Sequence, residues 1–177
     1  FSWLGDLLLS AVHGVGGDVA LTVLAAVLAG ISFWCVSNAA RSGVSTWWSS
    51  ICVVLAAIAA FPLLRPGPDS IAVLGLSLTL LVLMKGEEKP DRARYVLLVP
   101  LMWLWSNLDG HAFLGAAVLL AYAIGNVIDV RRGGFSASGK VGKFALAGIA
   151  VMFVHPFHID VARALQLLYV VDPAEQL

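Results

Sequence analysis

Charge is scarce in this 177-residue sequence, because only 12% of the residues are Asp, Glu, Lys or Arg. Soluble domains carry about 25% charged and about 45–50% apolar residues. This chain is 60% hydrophobic and has a mean hydropathy of +0.91. The composition argues against a water-soluble domain and predicts an integral membrane protein in contact with lipid. The formal net charge is zero, so nothing predicts a nucleic-acid partner.

Several common functional motifs are also missing from the sequence. It has no phosphate-binding Walker loop, no dinucleotide-binding glycine fingerprint, no Cys-rich metal motif and no internal repeat. The two cysteines, Cys35 and Cys52, lie inside apolar runs, which favours a packing role over a disulfide or a metal pair. A transporter is the least favoured function, since no inverted repeat and no charge within a span is found.

Uncharged segments that suit membrane-crossing helices recur along the chain. They predict an all-α transmembrane domain over residues 1–177, with about six transmembrane helices plus an amphipathic interfacial helix at the N-terminus. The predicted spans are residues 19–40, 42–64, 70–84, 95–108, 112–128 and 144–154. Residues 159–171 are expected to follow the surface or line a groove. Residues 172–175 carry a helix-start pattern, which predicts that the chain is part of a longer polypeptide.

Two local patterns refine this prediction. Residues 2–13 alternate apolar and polar faces, with Leu7 and Leu8 on the apolar face, which is typical of an interfacial helix ended by nearby glycines. Small residues at four-residue spacing predict close helix packing. These are Ala26 with Gly30, and Ala117 with Ala121 and Gly125.

Basic residues divide the predicted loops into two sets. Nine of the 11 Lys and Arg fall on one side of the alternating spans, and only Arg65 and Arg163 fall on the other. The positive-inside rule places the nine in the cytoplasm, so a cytoplasmic membrane is the expected location. All four histidines lie on the opposite, outer side, which predicts that any chemistry belongs to that face.

A polar group at residues 106–111 interrupts the apolar stretch that begins at Tyr95. The 14 uncharged residues from Tyr95 to Leu108 would span about 21 Å as a helix, less than the roughly 30 Å hydrocarbon core. Pro100 is expected to kink this helix. A short helix ending at a polar break is tolerated at membrane depth where it meets protein or a wet cavity. The alternative is a simple hairpin turn at the interface.

Three residues of the outer face are candidate catalytic groups: Asp6, Asp109 and His111. A carboxylate at these positions could act in acid/base chemistry or bind a metal, with Asp6 as the first candidate and Asp109 with His111 as the second. Asp6 could instead belong to the solvated face of its helix. Asp109 could act as the N-cap of the fifth span, because Asp is favoured at that position.

Three further residues are candidates for binding. Arg65 could bind a lipid phosphate with its guanidinium, or could snorkel to headgroups. His155 and His158 are three apart and could ligate a metal, but Pro156 disturbs the helical spacing. The metal and cofactor therefore stay open, with a divalent cation as one option.

The order of motifs resembles bacterial membrane glycosyltransferases of the GT-C superfamily, relatives of the polyprenyl-phosphate-mannose-dependent protein mannosyltransferases. The matching segments are residues 3–9 (WLGDLLL), 65–66 (RP), 98–100 (LVP), 105–108 (WSNL) and 155–157 (HPF). Two departures occur: His111 follows Gly110 instead of preceding it, and His155 replaces the family's Asn. The family's main catalytic carboxylate lies in the first outer loop, most of which would precede Phe1.

The resemblance implies transfer of a sugar from a polyprenyl-phosphate donor at the outer face of a bacterial cytoplasmic membrane. It also implies that Trp105 and Asn107 bind substrate together with Arg65, His155 and His158. The alternative is a non-enzymatic membrane subunit that packs within a larger complex, which the small-residue ladders favour.

Overall fold

The structure is a computed structural model that describes residues 3–39, 45–60, 67–88, 92–131, 140–152 and 154. Helices account for all the regular secondary structure in these ranges, which confirms the all-α prediction. The helices are α1 (Trp3–Ala39), α2 (Thr46–Ala60), α3 (Pro68–Glu88), α4 (Arg92–Val96), α5 (Leu98–Leu108), α6 (Ala112–Arg131) and α7 (Lys140–Val151). Two helical segments, Trp3–Ala39 and Asp69–Gly86, are long and apolar enough to cross a membrane.

Helix α1 is two helices joined at a glycine kink. Gly16 (φ −145°, ψ 15°) and Gly17 (φ 59°, ψ −149°) leave the helical conformation, and the backbone of Gly17 lies in a region open essentially to glycine alone. The predicted break is therefore confirmed at these two glycines, while Gly14 stays helical. We call residues 3–15 the N-terminal helix.

The N-terminal helix packs through a different face from the one its apolar pattern suggests. Leu7 and Leu8 are exposed, whereas Gly5 is buried and Leu9 and Val12 are half-buried. Gly5 permits this because a Cβ there would overlap the carbonyl oxygen of Leu108 on α5, so only glycine allows the two backbones to approach so closely. Leu7 and Leu8 point outward as a result.

The core lies between α3, α5, α6 and α7, with α5 at its centre. Antiparallel packing of α5 against α3 brings Gly75 of α3 onto the Trp105 indole, and Gly115 of α6 covers the same ring. A Cβ at either glycine would overlap the indole. Gly148 of α7 lies against Met102, deeper along α5. The buried apolar cluster consists of Leu83, Tyr95, Leu98, Met102, Trp105, Ala112, Leu119 and Ala145.

Polar side chains are buried inside this bundle while large apolar side chains cover its outside. Ser32, Ser77 and Thr79 are buried, and each hydroxyl donates a hydrogen bond of 2.7–2.9 Å to a carbonyl three or four residues earlier in its own helix. This local bonding satisfies a hydroxyl without water. On the outer side of α1, valine and isoleucine recur at four-residue intervals; these are Val19, Val23, Val27 and Ile31.

The packing predicted at small-residue pairs is not found among the described residues. Ala26, Gly30, Ala117, Ala121 and Gly125 are all exposed, and a Cβ at Gly30 or Gly125 would meet no atom within 4 Å. Small residues at four-residue spacing lie on one face of a helix, but the spacing does not show which other helix, if any, packs on that face. The close contacts use other glycines, whose partner is a large ring or a backbone carbonyl.

The predicted charged loops are shorter than expected, because the helices continue into them. Helix α3 extends to Glu88, α4 begins at Arg92, and α7 begins at Lys140. The fourth predicted span is divided at Leu97 instead of at Pro100. Proline has no N–H to bond the carbonyl of Val96, four residues earlier, and α4 ends at Val96. Pro100 itself lies in the first turn of α5, where a proline is tolerated.

Candidate functional site

A short polar turn joins the end of α5 to the start of α6. The backbone N–H of Asp109 donates to the Trp105 carbonyl at 2.8 Å, and Asp109 then adopts an extended conformation (φ −151°, ψ 137°). Gly110 and His111 form the turn before Ala112 begins α6. The carbonyl of His111 accepts a 2.9 Å bond from Leu114 N–H. The turn therefore holds Asp109 and His111 two residues apart on a defined backbone.

Asp109 faces protein, with a side chain only 2% exposed. Its Oδ1 lies 3.0 Å from Nδ1 of His111, and its Oδ2 is buried with no hydrogen-bond partner among the described residues. The side chain thus bonds the imidazole and makes no bond to the backbone N–H groups of α6 in the described part of the chain. The capping alternative therefore lacks its characteristic hydrogen bond.

His111 presents the opposite environment from its partner. Its side chain is 47% exposed, and its ring lies 6.2 Å, centroid to centroid, from the exposed Phe113 ring. A hydrogen bond at Nδ1 fixes the orientation of an imidazole and leaves Nε2 for a second partner. A buried carboxylate that holds a half-exposed imidazole is the arrangement in which histidine acts as a general base.

A second Asp–His pair provides a useful contrast. Nδ1 of His13 lies 3.5 Å from Oδ1 of Asp18, beside the glycine kink, and the two side chains are 58% and 96% exposed. Exposed pairs of this kind contribute little energy and little geometric restraint. Burial of the carboxylate therefore distinguishes the Asp109–His111 pair.

Asn107 links the end of α5 to the N-terminal helix. Its Oδ1 accepts a 3.0 Å hydrogen bond from Nε1 of Trp3, and its Nδ2 donates to the Trp103 carbonyl at 2.7 Å. Asn107 is buried, so these two hydrogen bonds satisfy side-chain amide atoms that water does not reach. The contact joins residues 104 positions apart.

Asp6 and Trp105 occupy very different positions near this contact. Asp6 is exposed and follows Gly5, which lies against the Leu108 carbonyl. Trp105 is buried between the two core glycines, and its Nε1 has no hydrogen-bond partner among the described residues. Trp105 therefore supports the turn by packing, and its predicted contact with substrate stays a prediction.

The structure brings Asp6, Trp105, Asn107, Asp109 and His111 to one end of the bundle. Arg65, His155 and His158 lie outside the described residues, so their roles and their expected closeness to Asp109 stay predictions. No group of three or more His, Cys, Asp or Glu able to hold a metal occurs within the described ranges.

Sequence reasoning missed Trp3 and Gly5 as parts of this region. A glycine inside an amphipathic helix is a signal of close backbone approach, and Gly5 carried that signal. Trp3 gave none, because its partner Asn107 lies 104 positions further along the chain. Comparisons with protein-family models, with curated proteins and with solved structures give no match to this chain.

Proposed function

We propose that this chain is the membrane-embedded core of a glycosyltransferase that moves a sugar from a polyprenyl-phosphate donor to an acceptor hydroxyl. The observation that carries the proposal is the buried Asp109 carboxylate, bonded at 3.0 Å to the half-exposed His111 imidazole. Such a pair suits the removal of a proton from a hydroxyl at the surface of the bundle.

The membrane setting is supported by the distribution of side chains. Large apolar residues face outward on α1, α2 and α6, while hydroxyl groups are buried and bonded to their own helices. Lipid, unlike water, favours that distribution. The proposal includes about six spans in a bacterial cytoplasmic membrane, with the Lys/Arg-rich loops in the cytoplasm and the Asp109–His111 pair at the outer face.

The chemistry divides between the two residues of the pair. When the imidazole proton is on Nδ1, that N–H donates a hydrogen bond to Asp109 Oδ1. The lone pair of Nε2 can then accept the proton of the acceptor hydroxyl. The acceptor oxygen then forms a bond to the anomeric carbon of the sugar, and the bond from that carbon to the phosphate oxygen breaks. Asp109 stabilises the resulting imidazolium. The departing phosphate is assigned to Arg65, whose guanidinium matches phosphate geometry.

The test compares His111→Gln and Asp109→Asn with the unchanged protein in proteoliposomes that contain radiolabelled polyprenyl-phosphate-mannose. Transfer of label to protein and release of free mannose are both measured. We expect each variant to lower the rate about 10²- to 10⁴-fold, the usual contribution of general-base catalysis. His13→Gln, in the exposed pair, is the matched control and should keep the full rate. Full activity in His111→Gln would refute the assigned base.

A second function, a non-enzymatic subunit of a membrane complex, is favoured by one observation. The ladder of Ala117, Ala121 and Gly125 on α6 is exposed, although small residues in this pattern suit close helix association. Native electrophoresis of Ala121→Ile in mild detergent tests this function. Loss of a larger complex, together with no transferase activity in the unchanged protein, would favour the subunit over the enzyme.

A further inference from the structure

The connection between the N-terminal helix and the rest of α1 is suited to act as a hinge. Gly16 and Gly17 both leave the helical conformation, and a Cβ placed at Gly17 would meet no atom within 4 Å. The preceding Val15 is almost fully exposed. A Cβ at Gly16 would lie 2.8 Å from the Cβ of Ala20, so a larger residue would be crowded there. Two consecutive glycines without side chains allow a change of backbone direction at little steric cost.

The first turn of the N-terminal helix is held on α5 by two contacts. Nε1 of Trp3 donates to Oδ1 of Asn107 at 3.0 Å, and Gly5 lies directly against the Leu108 carbonyl. Both contacts fall on the last turn of α5, immediately before Asp109. The N-terminal helix therefore covers the backbone that leads into the Asp109–His111 pair.

Two hydrogen-bond acceptors lie at this covered end of α5. Asn107 Oδ1 accepts a hydrogen bond from the Trp3 indole N–H, while Asn107 Nδ2 donates to the Trp103 carbonyl. Asp109 Oδ2 is buried and has no partner among the described residues. A buried acceptor without a donor is unfavourable, so this end of the helix suits a ligand that brings donors. Hydroxyl groups on a sugar ring supply them.

We propose that the N-terminal helix is a hinged cover over a hydroxyl-binding position formed by Asn107 and Asp109. In the closed state the Trp3 indole N–H occupies the Asn107 acceptor that a sugar hydroxyl uses in the open state. Asp109 Oδ2 accepts a second hydroxyl of the same ring. The ligand class rests on the proposed function, whereas the movement of the cover does not.

The cover is tested by the labelling rate of a cysteine at Leu9, which is half-buried and one turn from Gly5 on the docked side. Leu9→Cys is placed in a protein whose Cys35 and Cys52 are replaced by alanine, and it is reacted with a maleimide in proteoliposomes. Trp3→Phe removes the Asn107 bond, and Gly5→Ala forces the helix away from Leu108. We expect both changes to raise the rate about two- to tenfold, the effect of one hydrogen bond on an equilibrium.

Matched controls separate the cover from general loosening of the protein. Gly14→Ala lies on the same helix, and its Cβ would meet no atom within 4 Å, while Trp47→Phe changes an exposed indole on α2. Neither should change the rate. An unchanged rate in both Trp3→Phe and Gly5→Ala, or an equal rise in Gly14→Ala, would overturn the cover.

The ligand is tested with polyprenyl-phosphate-mannose and with polyprenyl phosphate that lacks the sugar. A ligand that binds the open state shifts the population toward it, so the mannose-bearing lipid should raise Leu9→Cys labelling and the bare phosphate should not. Equal effects of the two lipids would overturn the hydroxyl position. Labelling requires no turnover, so a protein without transferase activity would refute the proposed function and leave the result on the cover intact.

Discussion

At the scale of single residues, the protein depends on glycines that lie against one large ring. Gly75 and Gly115 enclose the Trp105 indole from α3 and α6, and Trp105 precedes the polar turn by one helical turn. Interiors packed to this density respond to a single added methyl group. The position of Asp109 is therefore coupled to the space that these two glycines leave.

Gly115→Ala should destabilise the protein by about 1–3 kcal/mol, because the new Cβ would overlap the Trp105 ring and overpacking costs energy of this size. Gly125→Ala is on the same helix, and its Cβ would enter open space. It should be neutral or stabilising by up to about 1 kcal/mol, since alanine favours helix more than glycine. Reversible unfolding by SDS in mixed micelles measures both values. Equal stability of the two variants would contradict the packing described for Trp105.

At the scale of helices, the sequence predicted which segments are helical better than it predicted their faces. Hydropathy and charge can be read from neighbouring residues alone. The uncharged runs therefore predicted the positions of α3, α5 and α6 to within a few residues. The helix that packs on each face depends on distant segments of the chain. The small residues Ala117, Ala121 and Gly125 on α6 were therefore predicted to contact another helix, but they are exposed in the described structure. The Asp109–His111 pair could be predicted because one turn holds both residues. The bond from Trp3 to Asn107 could not be predicted, because it joins residues 104 positions apart.

The glycine kink in α1 gives a prediction at this scale. Gly17→Ala places a Cβ on a backbone with φ of 59°, which costs about 1–3 kcal/mol for residues other than glycine. The strain can be relieved if α1 becomes straight and the N-terminal helix leaves α5. We expect lower stability and faster hydrogen exchange at the Trp3 indole N–H, measured by NMR. Gly14→Ala should change neither. Unchanged exchange in Gly17→Ala would show that the kink does not direct the helix onto Asn107.

At the scale of the whole molecule, the antiparallel order of α3, α5 and α6 puts the polar turn and the Lys/Arg-rich segments at opposite ends of the bundle. Gly86 packs on Tyr95 at one end, and Asp109 lies at the other end of α5. Successive loops are predicted from the sequence to lie on alternating sides of the membrane, which puts nine of the 11 basic residues on one side. The order of these helices is consistent with that alternation.

A cysteine at Gly110 and another at Lys143 test this orientation. Both positions are exposed, at opposite ends of the bundle. In intact cells an impermeant maleimide should label Gly110→Cys and should label Lys143→Cys only after the membrane is opened, because basic loops remain in the cytoplasm. Labelling of both from the same side would contradict the proposed topology.

Helix α2 has a consequence for how this protein can change during evolution. Among the described elements α2 packs only on α1, and Val54, Leu55 and Ile58 are exposed. In the proposed membrane setting, lipid chains accept many apolar shapes, so one aliphatic residue can replace another on α2 with little penalty, whereas a charge would be costly. Helix α5 has protein on most sides and allows few such exchanges. Sequence drift in descendants of this chain should therefore accumulate on α2 and spare α5.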